Sequence, residues 1–161
     1  MSSAHRIRRS LFDRLLDAGG DVPEGLMQTY TVDQLRDAVA RDLERLLNTR
    51  CALRSDAVDV GALTKRSVLC FGVPDFADRV MASSEDQRFI ARSLAEAIEA
   101  HEPRLQQVQV SFQSGDGVGV LNFVIRATLV VRPMREGVSF DAVLLPAASR
   151  YRVAASRFAL S

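Results

Sequence analysis

Two histidines and two cysteines carry the readiest nucleophile and soft-metal chemistry of this 161-residue chain, and their spacing supports neither use. Nucleophilic catalysis needs a Ser or Cys beside a His that a carboxylate orients. His5 and His101 belong to different segments, and no Gly-x-Ser-x-Gly run is present. Cys51 and Cys70 form no Cys-x-x-Cys pair and have no ligand cluster around them, so two free thiols are expected. Asp56 and Asp59 with Asp75 and Asp78 are a conceivable hydrolytic carboxylate set, but solvation of a polar loop accounts for them more simply. No glycine-rich phosphate loop precedes a helix. No catalytic residue, metal ligand or cofactor is assigned.

Three short polar signatures stand out instead. They are Leu46-Leu47-Asn48-Thr49-Arg50, then Ser67 to Phe76 (SVLCFGVPDF), then His101-Glu102-Pro103-Arg104-Leu105. Each closes or follows an apolar-periodic segment, where rigid turns carry contacts rather than core. Asn48, Thr49 and Arg50 form one candidate contact element, and Gly72, Pro74 and Asp75 a second. Glu102 and Arg104 flank a rigid proline, Pro103. Alone they read as solvated charges at a helix stop; beside the other signatures they read as a preset pair for a neighbouring subunit. The chemistry on offer is docking.

The bulk numbers agree with a docking protein. An apolar fraction of 47% and a net charge of +1 suit a folded domain. A chain of this size buries roughly two-thirds of its unfolded surface. The neutral balance disfavours a nucleic-acid binder. Lys65 is the only lysine, so the cationic surface is built of arginine, whose planar fork suits protein interfaces. No apolar run reaches membrane-spanning length, and the N-terminus lacks the apolar stretch of a secretory signal, so a cytosolic protein is expected.

The elements that must position the signatures can be read from periodicity. Ile7, Leu11 and Leu15 predict an amphipathic helix over residues 5–18, followed by a linker over 19–30. Thr31 and Gln34 form a capping-box pattern opening a second helix, with Leu35, Val39, Leu43 and Leu46 as its stripe and its end at about Leu47. Asn48 suits a left-handed stop. Residues 51–66 read as a polar loop. Ser84 with Gln87 caps a third helix bearing Phe89, Ile90, Leu94, Ala97 and Ile98. Beyond Pro103 the period becomes alternating. Val108, Val110 and Phe112 form one strand, Ser114 to Gly117 a hairpin turn, and Leu121 to Val131 a long second strand. Val138–Leu145 and Arg150–Ala154 follow as strands. The fold class is therefore α+β: N-terminal helices, then a small antiparallel sheet of three to four strands packed on a helix. Residues 1–30 are read as an N-terminal helix and linker, and 31–161 as the main domain.

In this order and spacing the signatures resemble a known family. Leu46 to Arg50 is similar to the "LLNTR" signature of the bacterial type VI secretion baseplate subunits called TssE. Ser67 to Asp75 resembles their "SVLNYGLPD" element, with Cys70 and Phe71 in place of Asn-Tyr. Glu102 to Leu105 resembles the "EPRL" of the wider contractile-phage baseplate wedge family. Phe140-Asp141 and Arg150 to Val153 resemble the last strands, so the likeness runs from residue 6 to 154. Cys51 stands where a second basic residue is common.

The resemblance implies a non-enzymatic α+β wedge subunit of a contractile injection machine. It implies joining to the wedge subunits TssF and TssG, and to other baseplate and hub subunits. It implies anchoring of the sheath subunits TssB and TssC, at the inner face of the cytoplasmic membrane, without nucleic acid or membrane insertion. The signature residues Asn48, Thr49, Arg50, Gly72, Pro74, Asp75, Glu102, Pro103 and Arg104 would carry partner contacts. Some members bear a "lysozyme-like" label; no acid and nucleophile pair in this sequence supports it. The competing reading is a small regulatory protein-binding module of the same fold, resembling an anti-adaptor.

Overall fold

The first regular elements are two short paired strands. The computed structural model describes residues 5–8, 27–52, 61–76, 83–113, 120–145 and 148–156. Strand β1 (His5–Arg8) pairs antiparallel with β2 (Met27–Tyr30), His5 opposite Tyr30 and Arg8 opposite Met27. The expected helix over residues 5–18 is thus wrong at its start, and the expected linker is wrong at its end. Partner-strand bonding satisfies these backbones, and it overrides the local helical period. Residues 9–18 and 19–26 lie outside the described residues.

Helix α1 (Val32–Leu47) follows the sequence reading closely. Thr31 Oγ1 accepts from the Gln34 amide at 3.2 Å, and Gln34 Oε1 accepts from the Thr31 amide at 2.9 Å, closing the capping box. Leu35, Val39, Leu43 and Leu46 are buried as the stripe requires. Asn48 ends the helix in the right-handed region, φ −86°, not the left-handed stop expected of it. Its side chain does the capping work described below.

A single helical turn, α2 (Ala62–Lys65), and a 3₁₀ turn (Val68–Cys70) replace part of the loop expected over 51–66 and the apolar run after it. Val68 and Leu69 are exposed, and Phe71 alone of that stretch packs against the core. Helix α3 (Ser84–His101) begins at its expected cap residue, one residue early: Ser83, not Ser84, caps it, accepting from the Asp86 amide at 3.4 Å. Ile90, Leu94 and Ile98 are buried and Ala97 packs against the core. Phe89 lies on the outer flank at 41% exposure, against the reading that buried it.

The rest is a four-stranded antiparallel meander. Its strands are β3 (Leu105–Gln113), β4 (Leu121–Val131), β5 (Met134–Leu145) and β6 (Arg150–Ala155), in that spatial order. Strand β5 opens four residues before the predicted Val138. Gln107, with φ 54°, marks a bulge that shifts the β3–β4 register between Gln106 and Gln109. Helix α3 packs on β3 and α1 on β6, so two helices, not one, cover the sheet. Phe123, Ile125, Phe140 and Tyr151 meet Leu43, Leu47, Leu94 and Ile98 in the shared core. The architecture is α+β: after the short β1–β2 pair, the described helices come before the four-stranded sheet.

Candidate functional site

All three signatures are stitches between elements distant in sequence. The first starts at Asn48. Its side-chain amide donates to the Glu44 carbonyl at 2.8 Å and to the Tyr151 carbonyl at 2.9 Å. Its Oδ1 accepts from the Tyr151 amide at 2.8 Å. The Asn48 amide group thus imitates a neighbouring strand against the outer edge of β6. Glu44, one turn earlier, accepts from the Val153 amide at 3.0 Å. Thr49 Oγ1 returns to the Arg45 carbonyl at 2.8 Å. Arg50 is exposed and reaches the Leu47 and Ser149 carbonyls at 3.4 and 3.3 Å.

The second signature docks on the first through the backbone. Arg50 and Val73 form a parallel bridge: Val73 N donates to Thr49 O at 2.9 Å, and Cys51 N donates to Val73 O at 3.0 Å. Gly72 is required there. Its φ is 117°, and a β-carbon would sit 2.4 Å from the Thr49 carbonyl oxygen. Val73 and Phe76 are buried, while Asp75 stays exposed. Asp56, Asp59 and Asp78, the other carboxylates of the conceivable hydrolytic set, lie outside the described residues.

The third signature reaches the second and the body of α1. His101 Nε2 bonds the Cys70 carbonyl at 2.9 Å, and its ring meets Phe71 edge-on at 5.3 Å. Glu102 is buried, with Oε1 accepting from Arg104 Nε at 2.7 Å and Oε2 from Arg104 Nη2 at 2.5 Å. Arg104 Nη2 also donates to Asp42 Oδ2 at 2.6 Å, and Arg45 donates to Asp42 Oδ1 at 3.0 Å. Burial works against the Arg104 charge, but Glu102 and then Asp42 outweigh it and raise its pKa above the usual guanidinium value. The Arg104 carbonyl meanwhile accepts from Val130 N at 2.8 Å. One guanidinium therefore ties α1 to the α3–β3 junction. Glu102 and Arg104 face each other and Asp42 within the chain, and only Pro103 between them is exposed.

Asp42 is the residue that sequence reasoning missed. A signal existed: it lies on the α1 stripe beside Val39, Leu43 and Leu46, where a carboxylate must find a partner. Arg45, three residues on, is one partner, and the other, Arg104, is 62 residues away. No group of three or more His, Cys, Asp or Glu that could hold a metal occurs among the described residues. No helix among them is long and apolar enough to cross a membrane.

Tyr151, whose backbone Asn48 holds, has a fully buried phenol with no hydrogen-bond partner among the described residues. Burial pushes its pKa up to about 12, against a weaker opposing pull from Arg50. The folded pKa exceeds the unfolded value of about 10, so this contribution is complete below pH 10 and is lost as pH rises through 12. The loss expected is about 2–3 kcal/mol. Urea melts of wild type and Tyr151→Phe between pH 8 and 12 check it: the Phe variant should hold its stability further into alkali. Parallel profiles would show that the phenol does not titrate in this way.

A family model described as "Baseplate wedge protein gp25" matches residues 33–134, which contain all three signatures and Asp42. Among solved structures, a chain of "The baseplate complex from the type VI secretion system" is similar at 18% identity, covering 74% of this chain and 94% of that one, with a TM-score of 0.47. No protein of curated function matches. The match takes in more than half of the sequence and all three signatures, and the chain belongs to the gp25 family of baseplate wedge proteins.

Proposed function

We propose that this chain is a structural, non-enzymatic subunit of a type VI secretion baseplate wedge. It works in the cytoplasm, joins the wedge subunits TssF and TssG, contacts other baseplate and hub subunits, and anchors the sheath subunits TssB and TssC. Support comes from family membership and from the resemblance of the ordered signatures to those of the type VI subunits. The observation that carries the sheath-anchoring role is the unequal treatment of the two sheet edges.

Hydrogen-bond parity defines those edges. Val130 N points to Arg104, so alternate β4 residues face β3, and beyond the bulge Gln109, Ser111 and Gln113 face β4. Val108, Val110 and Phe112 therefore turn their backbone groups outward. Val108 N confirms the parity by donating to Glu99 at 3.2 Å. On β6 the outward residues are Tyr151, Val153 and Ala155; Asn48 takes both backbone groups of Tyr151, and Glu44 takes the Val153 amide. The β6 edge is capped by side chains at Tyr151 and Val153, whereas beyond Val108 the outward groups of β3 have no partner strand among the described residues and can serve as the template for an added strand. Strand β3 has nine residues and not one charge or proline, the usual devices that protect an edge. An extended sheath segment pairing there would derive its affinity from main-chain hydrogen bonds.

Partner contact at the signatures divides in the same way. Arg50, Asp75 and Pro103 are exposed and would touch partners directly. Asn48, Thr49, Gly72, Pro74, Glu102 and Arg104 would hold them in place. Affinity capture of the tagged chain from cells producing the wedge and sheath subunits tests the role. TssF and TssG should co-purify, and the purified chain should release no fragments from peptidoglycan. Failure to capture any baseplate subunit, or wall hydrolysis abolished by one carboxylate substitution, would end the structural reading.

A further inference from the structure

The stitches between the first two signatures bring the two cysteines of the chain together. Cys51 follows the Arg50–Val73 bridge, and its amide is fixed to the Val73 carbonyl at 3.0 Å. Cys70 ends the 3₁₀ turn, its amide on the Ser67 carbonyl at 3.1 Å and its carbonyl on His101 Nε2 at 2.9 Å. Both backbones are thus held from both sides. Cys51 Sγ donates to the Leu69 carbonyl at 3.8 Å, one residue from Cys70, and lies close enough to help raise the Cys70 pKa. Each is half-buried, open enough for a small reagent to reach, and not joined to the other.

We propose that Cys51 and Cys70 are an oxidation site, a paired dithiol that a small-molecule disulfide such as oxidised glutathione converts to an intrachain disulfide. The exchange balances. One cysteine thiolate attacks a sulfur of oxidised glutathione, the glutathione S–S bond breaks, and one glutathione thiolate leaves. The second cysteine loses its proton and attacks the mixed disulfide at the protein sulfur. The Cys51–Cys70 bond forms and the second glutathione leaves. Two protein thiols are oxidised, one oxidised glutathione is reduced to two thiols, and the two cysteine protons end on them. Burial, then the neighbouring Cys51 thiol, raises the Cys70 pKa. The product would make covalent the junction that the Thr49, Cys51 and Val73 backbone bonds already hold.

The test uses the full-length reduced chain, titrated with mixtures of oxidised and reduced glutathione at pH 8 and read by intact mass after acid quench. The wild type should lose two titratable thiols, retain no glutathione and stay monomeric. Cys70→Ser should stop at a single glutathione adduct on Cys51. Closing the chain from residue 51 to residue 70 should raise the melting midpoint by roughly 5–10 °C, reversed by dithiothreitol. Wild-type protein that accumulates glutathione adducts or disulfide-linked dimers in place of the intrachain bond overturns the proposal. So does an oxidised form that melts at or below the reduced one.

Discussion

Arg104→Ala should lower folding stability by about 3–5 kcal/mol, the cost of breaking a buried ion-pair network by removing one partner. The substitution deletes a guanidinium that bonds Glu102 twice and Asp42 once, with side-chain exposures of 21%, 8% and 7%. Two carboxylates would remain buried with their shared cation gone. The Leu105 amide still bonds the Glu102 carbonyl, so the turn itself survives, and the loss falls on the tie between α1 and β3. Arg104→Lys should recover only part of it, because an ammonium cannot span both carboxylates with a planar fork. The triple variant Asp42→Leu, Glu102→Met, Arg104→Met should recover more than the lysine, since no charge is left unpaired. Urea unfolding of the four proteins checks the order. A melt of Arg104→Ala within about 0.5 kcal/mol of wild type, the size of an exposed ion pair, would mean that the network contributes little and that Arg104 serves mainly a partner.

Asn48→Ala should cost about 2–4 kcal/mol. Three bonds disappear, and the Tyr151 amide and carbonyl lose the partner that imitates a strand. Each unsatisfied backbone group costs about 1–3 kcal/mol when water cannot replace the partner, and partial wetting of this edge places the sum below the maximum. Asn48→Asp is the sharper probe. It keeps the acceptor for Tyr151 N and removes both donations, so a carboxylate oxygen faces the Tyr151 carbonyl. It should be as damaging as alanine or worse. Thermal melts with hydrogen exchange at Tyr151 and Val153 would read the effect; exchange unchanged at both amides would contradict the capping of β6 by α1.

The sequence made the local layers legible and left the long-range ones dark. The α1 capping box and stripe, the alternation of β4 and the change of period after Pro103 all depend on neighbours a few residues apart, and all appear where expected. The strand His5–Arg8 was missed because its partner lies beyond residue 26, and the charges around Ile7 also fit a helix face. Phe89 was misplaced because a helical stripe shows a direction but not how wide the opposing sheet is. The signatures were visible as unusual polar turns, yet their partners were not. Asn48 meets Tyr151 across 103 positions and Arg104 meets Asp42 across 62. Their role as internal stitches came from the fold, and Asp42 entered with them.

A proline at Val110 isolates the open edge from the fold. The Val110 amide faces away from β4, so Val110→Pro removes no ladder bond, and proline is tolerated at such edge positions. The ring would still block an incoming strand. Cells lacking the native protein, complemented with Val110→Pro and carrying a fluorescently tagged sheath, give the direct measurement, after circular dichroism and a melt establish that the variant folds. A folded Val110→Pro should still co-purify with TssF and TssG while sheath tubes fail to form. Normal dynamic tubes in those cells would contradict the assignment of β3 as the edge that anchors the sheath.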